Sequence, residues 1–565
     1  MTRRLVRRKV EHDPGDSSLL SRLYAVRGIT SVADRDLSLQ KLHKPETLKD
    51  LGKAAKLLAT AVTEDQRILI VGDFDADGAT STALMVDALR SMGAVNVDYL
   101  IPDRFEYGYG LTPEIVDDAA RFSPDLLVTV DNGMSSIDGV ALARSRGTKV
   151  IVTDHHLPGA AVPEADAIVN PNQAGCKFPG KSLAGVGVAF YLLSALRRHL
   201  TQRHWFASKP PNLAGYLDLV ALGTVADVVP LDRNNRILVQ EGLRRIRSGH
   251  CRPGIQALLE VAGTNHMKVT SRDLAFGAAP RLNAAGRLEN MSLGIECLLA
   301  DNPDRARKSA LKLDELNRER RAIEVEMRQQ AKEHIDAGWH LIDDNPPVGL
   351  CLYHQDWHQG VVGIVASRIK DQLHRPVIAF ARASDDELKG SGRSVPGMHI
   401  RDALDAIAAS EPGLIDKFGG HAMAAGLSIR AENLDRFTEV FDTEARRWLS
   451  ADDLEQVIVS DGEIHEDITL ALVREVTEAG PWGQGFPEPL FDGQFEVLEQ
   501  RIVGERHLKL KVRPVDGVQT LEAIAFYHDR LIETYRPRLA YRLDINEYRG
   551  RESVQLIVEA VDILL

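Results

Sequence analysis

Short apolar runs alternate with helical stretches along the first half of the chain. The runs are continuous and rich in Val, Ile and Leu, and the segments between them repeat their apolar positions with the period of a helix. Continuous apolar strands with intervening helices are typical of a parallel, doubly wound sheet that is buried on both faces. The predicted strands are residues 68–71, 97–101, 126–130, 150–153 and 167–169, and the predicted helices are residues 79–92, 113–122 and 136–146.

The same pattern divides the chain into five parts and predicts a multidomain α/β protein. A second α/β unit is expected around strands near residues 348, 377 and 427, and short β-like runs after residue 494 predict a small barrel of the oligonucleotide-binding type. A stretch rich in Glu and Arg predicts a long connecting helix with a solvated face. The predicted parts are an N-terminal extension (1–65), a parallel-sheet domain (66–300), the connecting helix (301–340), a smaller α/β domain (341–448) and the barrel (449–565).

Side chains that bind metals follow three of the predicted strands at their carboxyl ends. The first strand leads into Asp73, Asp75 and Asp77, the third into Asp131, and the fourth into Asp154-His155-His156. Ligands bind beyond the carboxyl ends of strands in such sheets, so these side chains are expected to meet at one edge. Carboxylate oxygens favour Mg²⁺, Ca²⁺ or Mn²⁺. The sequence therefore predicts a divalent-cation site.

The aspartates also have a plainer interpretation. Asp-Gly pairs are ordinary turn formers, and an acidic loop after a strand needs no ligand. Three strand ends with metal-binding side chains, one of them with two histidines, favour the metal site. Asp227 joins this set because it lies in a mostly apolar stretch, where a carboxylate is costly unless it is paired or bound to a metal. It also suits a helix cap before Pro230.

Later segments carry donors for phosphate. Residues 280–287 include Arg281, Asn283 and Arg287, and arginine matches phosphate oxygens with paired hydrogen bonds. Two glycine-rich segments offer free backbone amides, with Ser391 and Arg393 in one and His421 in the other, although both also suit tight turns. The basic residues between 501 and 513 predict either a patch that follows a phosphate backbone or an ordinary charged β-surface.

Composition narrows the class of protein. The 565 residues are 44% hydrophobic and 27% charged, as expected for a globular protein of several domains, and no apolar run is long enough to span a bilayer. The net charge of −12 argues against broad non-specific binding of duplex DNA, but not against a local basic groove. Four widely spaced cysteines suit a reducing cytoplasm and exclude a cysteine zinc site.

These motifs, taken together, resemble the DHH phosphoesterase superfamily. The resemblance rests on Asp73-x-Asp75-x-Asp77-Gly78, on Asp131-Asn132-Gly133, on the Asp154-His155-His156 triplet and on Gly223-Thr224-Val225-Ala226-Asp227, in that order. Gly419-Gly420-His421 is similar to the signature of the associated DHHA1 domain. From about residue 65 to the end, the set of domains further resembles the RecJ family of bacterial exonucleases, which degrade single-stranded DNA from 5′ to 3′ in repair and recombination.

The resemblance implies a role for each motif residue. One or two Mn²⁺ or Mg²⁺ ions would be held by five ligands, with Asp131 bridging if two ions bind. Asp73 would lie in the outer shell or join the first metal, Asp154 would orient its histidine neighbours, and His156 would lie near the scissile phosphate. The implied metal ligands are Asp75, Asp77, Asp131, His155 and Asp227.

The resemblance also implies contacts to DNA and partner proteins. Arg104, Ser391 and Arg393 would lie near the 5′-terminal phosphate, Arg281 on the nucleotide backbone, and Asn283 and His421 among the DNA or phosphate contacts. A monomer is expected to act on single-stranded DNA, with a single-strand-binding protein and a RecQ-type helicase as partners.

Three other functions compete with the exonuclease. Nanoribonucleases and cyclic-dinucleotide phosphodiesterases share the metal motifs, but their typical members are smaller and lack a terminal barrel. A pyrophosphatase would need neither the barrel nor the basic run. A non-catalytic scaffold of replication or recombination would keep the fold but not an intact set of metal ligands, and every ligand position is intact here.

Overall fold

The computed structural model of the protein describes residues 4–9, 18–103, 110–339, 346–504 and 506–561. It confirms the predicted fold class: a parallel-sheet domain, a long connecting helix, a smaller α/β domain and a closed C-terminal barrel. Arg104, predicted near the 5′-phosphate, lies outside the described residues.

The N-terminal segment ties the barrel to the rest of the molecule. It forms β1 (Arg4–Arg7), α1 (Leu19–Ala25), α2 (Val32–Arg35) and α3 (Leu51–Thr63). The guanidinium of Arg27 donates to both carboxylate oxygens of Asp461, each at 2.9 Å, and both side chains are buried. Leu19 and Leu23 enter the core of the barrel. These residues, which the sequence left without an assigned role, therefore hold two distant parts of the chain together.

The first sheet is parallel throughout and orders its strands β3-β2-β4-β5-β6. Its central strands are fully buried, because helices cover both faces. The first helix begins three residues earlier than the sequence predicts, since Asp75 caps it within the acidic motif. The elements are β2 (Ile68–Val71), α4 (Ala76–Ser91), β3 (Val97–Leu100), α5 (Pro113–Ala119), β4 (Leu126–Val130), α6 (Ile137–Ser145), β5 (Lys149–Thr153) and β6 (Ala167–Val169).

A layer of helices completes this domain. Its first two helices pack on α4 and carry the residues that close the candidate site. A π-helix, Leu274–Ala278, leads into α12. The helices are α7 (Gly185–Gln202), α8 (Leu217–Ala226), α9 (Arg233–Arg247), α10 (Pro253–Val261), α11 (Ser271–Asp273), α12 (Ala279–Leu288) and α13 (Ser292–Leu299).

The connecting helix α14 (Pro303–Trp339) is shared by two cores. Leu313 and Leu316 pack with the first domain, whereas Met327 and Ala331 pack with the second. The charged face is solvated as predicted, but the buried stripe makes α14 a packed strut and not a free linker. Within the described part of the chain, no helix, α14 included, has the length and apolarity needed to cross a membrane.

The second domain is a five-stranded mixed sheet in the order β10-β11-β9-β8-β7. The two glycine-rich segments lie on adjacent strands, because residues 390–393 belong to β9 and residues 419–426 form the β10–β11 hairpin. The elements are β7 (Leu350–Tyr353), α15 (Val362–Leu373), β8 (Val377–Arg382), β9 (Glu387–Arg393), α16 (Ile400–Ser410), β10 (Lys417–Gly420), β11 (Ala424–Arg430) and α17 (Leu434–Trp448).

The C-terminal part closes into a barrel in the order β13-β14-β15-β17-β16. The predicted basic run faces carboxylates on the neighbouring strands: Lys509 pairs with Glu522 at 3.0 Å, and Arg513 with Glu496 at 2.6 Å. The elements are β12 (Val457–Ser460), which pairs with β1, α18 (Leu470–Glu478), β13 (Phe491–Val503), β14 (His507–Pro514), β15 (Leu521–Ala525), β16 (Arg538–Tyr548) and β17 (Arg551–Val561).

Candidate metal centre

The carboxyl ends of β2, β4 and β5 bring the acidic motifs to one edge of the sheet. β2 ends at Val71, so the aspartate motif (residues 73–77) is a turn that runs into α4 and not an extended strand. The side chain of Asp75 caps α4 and accepts hydrogen bonds from the amides of Asp77 and Gly78 at 2.9 and 3.0 Å. The backbone of this turn therefore sets the positions of the carboxylates of Asp73, Asp75 and Asp77.

Asp77 is held by a second helix. Its two carboxylate oxygens accept hydrogen bonds from the amides of Gly185 and Val186, at 2.6 and 3.0 Å, in the first turn of α7. A helix N-terminus favours an anion, and this one has no capping side chain of its own. The sequence signal for this contact was the small-residue run at residues 184–187, whose role was not predicted.

Asp131 lies where glycine is the only residue that fits beside it. A Cβ on Gly185 would be 2.6 Å from the Asp131 carboxylate, so the absence of a side chain lets α7 approach the site. Asp131 itself has a left-handed backbone, with φ at 61°, a conformation that aspartate tolerates better than most residues. The side chain is buried.

Asp227 reaches the site from the C-terminal end of α8. It is the C-cap residue of that helix, so the predicted cap and the predicted ligand are the same residue. Val228, which follows it, has φ at 61°, an unfavourable conformation for a β-branched side chain. A carboxylate at a helix C-terminus also opposes the helix dipole. These costs indicate a position maintained for function.

The two neighbouring histidines, His155 and His156, lie in different environments and have opposite pKa shifts. Oδ1 of Asp154 lies 2.7 Å from Nδ1 of His156, and the Asp154 carboxylate also accepts the amides of Met134, His155 and His156. Burial is the largest single influence on His156 and lowers its pKa, but the hydrogen bond to Asp154 and the negative charges of Asp154, Asp73 and Asp75 together raise the pKa above its ordinary value. Burial and the neighbouring His156 lower the pKa of His155 to about 4, so His155 is neutral at pH 7.

The side chains converge in three overlapping groups whose ligand atoms lie within 4.8 Å of one another. The groups are Asp73 with Asp75 and Asp131, Asp131 with His155 and His156, and Asp77 with His155 and Asp227. Nε2 of His155 is 3.2 Å from Oδ1 of Asp131 and 3.4 Å from Oδ2 of Asp227. Asp131 and His155 each belong to two of these groups.

The electrostatics of the cluster fit a divalent cation. Burial and the nearby Asp75 raise the pKa of Asp77 to about 7, and burial together with Asp77 raises the pKa of both Asp131 and Asp227 well above the ordinary value. Nε2 of His155 and Oδ2 of Asp227 are buried, face each other and make no hydrogen bond. A cation shared by these lone pairs satisfies all of them at once.

The second domain contributes to the same cleft. The ring of His421 stacks against that of His156, with centroids 6.1 Å apart and planes 18° apart. On β9, Arg393 donates to Ser391 Oγ at 3.0 Å, and no carboxylate of the described residues lies within 4 Å of its guanidinium. A Cβ on Gly363, in the first turn of α15, would touch both side chains. Ser391, Arg393 and the uncapped start of α15 therefore form one pocket of donors.

Residues 280–287 were predicted to contact phosphate or DNA, but in the structure their polar side chains contact other parts of the protein. Arg281 is buried and donates to Asp314 on α14 at 2.7 Å, which leaves its predicted contact with the nucleotide backbone without support from the structure. Oδ1 of Asn283 accepts the amide of Ala76 in the aspartate motif at 2.9 Å. Arg287 donates to the carbonyl of Gly360 in the second domain at 3.0 Å. The structure thus brings none of the three into the metal cluster.

An aromatic cluster on the barrel was not predicted. Phe526 and Tyr527 are 51% and 80% exposed at the end of β15, and both rings lie 5.3 Å from that of His507. Exposed aromatic rings on such a barrel are typical of surfaces that stack bases. The sequence signal was the Phe526-Tyr527-His528 run, which lies in the loop after the strand.

Three protein-family models match the chain. The DHH family N-terminal domain matches residues 67–224, the DHHA1 domain matches residues 347–447, and the RecJ OB domain matches residues 460–560. The first match contains every acidic motif except Asp227, and the second contains Ser391, Arg393 and His421.

Curated relatives match almost from end to end. The single-stranded-DNA-specific exonuclease RecJ of Dickeya dadantii is 54% identical over 550 residues, which are 96% of this chain and 95% of the relative. The Escherichia coli protein of the same description is 53% identical over 554 residues, again 96% and 95% of the two chains.

Solved structures share the fold. A crystal structure of RecJ in complex with Mn²⁺ from Thermus thermophilus matches with a TM-score of 0.81 and 30% identity, over 99% of this chain and 79% of that one. A second crystal structure from that organism, in complex with Mg²⁺, matches with a TM-score of 0.75 and 29% identity, over 99% and 78%.

The raised pKa of Asp77 predicts how the metal-free protein responds to pH. A carboxyl whose pKa is about 7 when folded and near 4 when unfolded contributes stability below pH 4 that is lost as the pH rises through 7. Raising the pH from 6 to 8 in EDTA should therefore cost of the order of 1 kcal/mol through this group. Thermal unfolding should show a smaller pH response in Asp77→Asn than in wild type, whereas the exposed control Asp98→Asn should follow wild type. An equal pH response in all three proteins would contradict the assignment.

Proposed function

The chain belongs to the RecJ family of single-stranded-DNA-specific exonucleases, and we propose that it hydrolyses single-stranded DNA from the 5′ end and releases 5′-mononucleotides, using Mn²⁺ or Mg²⁺. The observation that carries the proposal is the convergence of buried carboxylates and a neutral histidine at one sheet edge, in a chain that matches the family over nearly its whole length. The barrel and this full-length match favour a polymer substrate over the dinucleotides or pyrophosphate of smaller enzymes.

The metal would be held by Asp75, Asp77, Asp131, His155 and Asp227, with Asp73 close enough to join. A divalent cation held there would supply positive charge to the phosphate and to the leaving 3′-oxygen and would promote the ionisation of a bound water. The chain fixes its ligands beforehand: the amides of α7 orient Asp77, and a hydrogen bond with the Leu183 backbone leaves Nε2 of His155 directed at the carboxylates.

His156 is the proposed contact to the scissile phosphate. Its hydrogen bond to Asp154 fixes one ring nitrogen and raises the pKa, so the ring carries positive charge over a wider pH range than a free histidine. A cationic donor held in place beside the cluster suits the charge that develops on the phosphate oxygens. His421, stacked on the same ring, brings the second domain to this point.

The donor pocket of the second domain is the proposed site for the 5′-phosphate. Burial lowers the pKa of Arg393, and no acidic neighbour opposes that effect, so the guanidinium is available for an external anion. Ser391 and the start of α15 add neutral donors at the same place. A strand whose end is fixed there would be cut at the metal cluster.

The aromatic cluster on the barrel is the proposed grip on the strand further from its end. Bases of any sequence can stack on Phe526 and Tyr527, which suits an enzyme that must accept every single strand. Stacking is favoured over charge for this role because Lys509, Lys511 and Arg513 already pair with glutamates on neighbouring strands.

We further propose, from membership of the family, that the protein is a cytoplasmic monomer that works in DNA repair and recombination beside a single-strand-binding protein and a RecQ-type helicase.

End-labelled substrate tests the polarity. With Mn²⁺ present, a 5′ label on a long single strand should appear at once as mononucleotide, while a 3′ label stays in long products. Asp77→Ala and Asp131→Ala should each lose cleavage by more than roughly a hundredfold, because each removes a metal ligand. Early release of the 3′ label, or wild-type turnover in both variants, would overturn the proposal.

Arg393 tests the recognition of the end. In wild type, a strand with a 5′-phosphate should be degraded faster than one with a 5′-hydroxyl, and Arg393→Gln should reduce that ratio roughly tenfold, since one charged hydrogen-bond donor is lost. Arg382→Gln on the adjacent strand is the matched control and should keep the ratio. If Arg393→Gln degrades the two strands with the same ratio of rates as wild type, the 5′-phosphate does not bind in this pocket.

Tyr527 tests the stacking surface. Tyr527→Ala should raise the KM for a long strand roughly tenfold, while hydrolysis of a dinucleotide, which offers no further bases to stack, should not change. Tyr548→Ala, another exposed tyrosine of the barrel, provides the control. If both variants raise the KM equally, or neither does, the stacking site lies elsewhere.

A further inference from the structure

One face of α12 supports the aspartate motif. Oδ1 of Asn283 accepts the amide of Ala76 at 2.9 Å, and one turn later the backbone of Gly286 lies so close to the carbonyl of Phe74 that any Cβ there would overlap the oxygen. Positions three apart lie on the same side of a helix, so the two contacts act together. The motif that carries the proposed ligands therefore lies on a single helical face.

The hydrogen bond that Asn283 accepts from the Ala76 amide completes the cap of α4. The first amides of a helix have no partner within the helix, and Asp75 accepts only those of Asp77 and Gly78. The remaining donor, the amide of Ala76, lies between the two candidate ligands Asp75 and Asp77. Without an acceptor from outside the helix, this donor would favour water or a different turn, and both neighbouring carboxylates would shift with it.

Helix α12 is itself fixed at both ends. Arg281 pairs with Asp314 on the connecting helix at 2.7 Å, and Arg287 donates to the carbonyl of Gly360 in the second domain at 3.0 Å. A Cβ on Gly360 would in turn overlap the carbonyl of Arg287, so the two backbones touch. The acceptor offered by Asn283 therefore has a defined position relative to both domains.

We infer that Asn283 is a positioning residue of the metal centre and not a contact to DNA. It acts on the metal through the Ala76 amide, by holding the turn from which Asp75 and Asp77 project. This inference rests on the metal assignment proposed above and adds a specific consequence: removing the acceptor weakens metal binding and leaves the affinity for DNA unchanged.

Direct binding of Mn²⁺ tests this inference. Calorimetric titration of the full chain should show a dissociation constant about tenfold higher in Asn283→Leu, which has a similar size but no acceptor. Asn283→Asp keeps an oxygen at the same position and should stay within about threefold of wild type. At saturating Mn²⁺, the KM for a single strand should be the same in all three proteins, which a DNA contact would not allow.

The outcomes distinguish a failure of the metal assignment from a failure of the positioning role of Asn283. If wild type itself binds no Mn²⁺, the metal assignment fails. If wild type and Asn283→Leu bind Mn²⁺ equally and only the KM for DNA rises, the positioning role fails and the DNA contact predicted from the sequence is restored. Should Asn283→Leu not fold, as judged by melting in EDTA, Asn283→Ser removes the long acceptor with less bulk and decides between the same outcomes.

Discussion

Repulsion among carboxylates gathered in one small volume is the constraint on which the rest of the catalytic domain depends. The chain treats these groups in two ways. Asp75 accepts two backbone amides and Asp154 accepts three, and hydrogen bonds of this kind stabilise a charged carboxylate within the protein. Burial and the neighbouring carboxylates raise the pKa of Asp131 and Asp227 well above the ordinary value, so a cation would stabilise the charged forms that the protein alone does not. Asp77 combines both, because α7 binds it and burial still raises its pKa. This division shows where positive charge is required.

The cost of assembling the cluster appears in the local backbone. Asp131 and Val228 adopt left-handed conformations, and Asp227 places a negative charge at the wrong end of α8. Glycine occupies positions 185 and 223 because a side chain there would collide with a ligand: Gly185 lies against Asp131, and Gly223 lies against Asp77. None of these choices improves a strand or a helix. These unfavourable conformations persist because the packed elements around them prevent the backbone from relaxing. Strain at functional sites is maintained in this way.

The sequence predicted the features that depend on local pattern and failed on those that depend on distant partners. Buried apolar runs located the strands of the first sheet, and the rule for carboxyl ends then grouped Asp77, Asp131 and His155 correctly at one edge. The basic run on the barrel was visible, but Glu522 and Glu496, which neutralise part of it, are placed beside it only by strand pairing. Likewise, nothing within residues 280–287 shows that Arg281 will meet Asp314 or that Asn283 will meet Ala76.

The candidate cleft lies between two sheets, and their separation is a structural parameter of the enzyme. In an exonuclease, the distance between the group that holds the strand end and the group that cuts determines the length of the product. Here the proposed end pocket lies on β9 and the proposed cutting site on the first sheet, and α14 is packed into the cores of both domains. A helix that packs into two cores resists changes in length and angle far better than a flexible linker does. Arg287 and Gly360 add a direct contact between the domains close to the aspartate motif. If the strand end binds on β9 and is cut at the first sheet, as proposed, packed secondary structure sets the step size, and changes along α14 or at this contact would alter where the strand is cut.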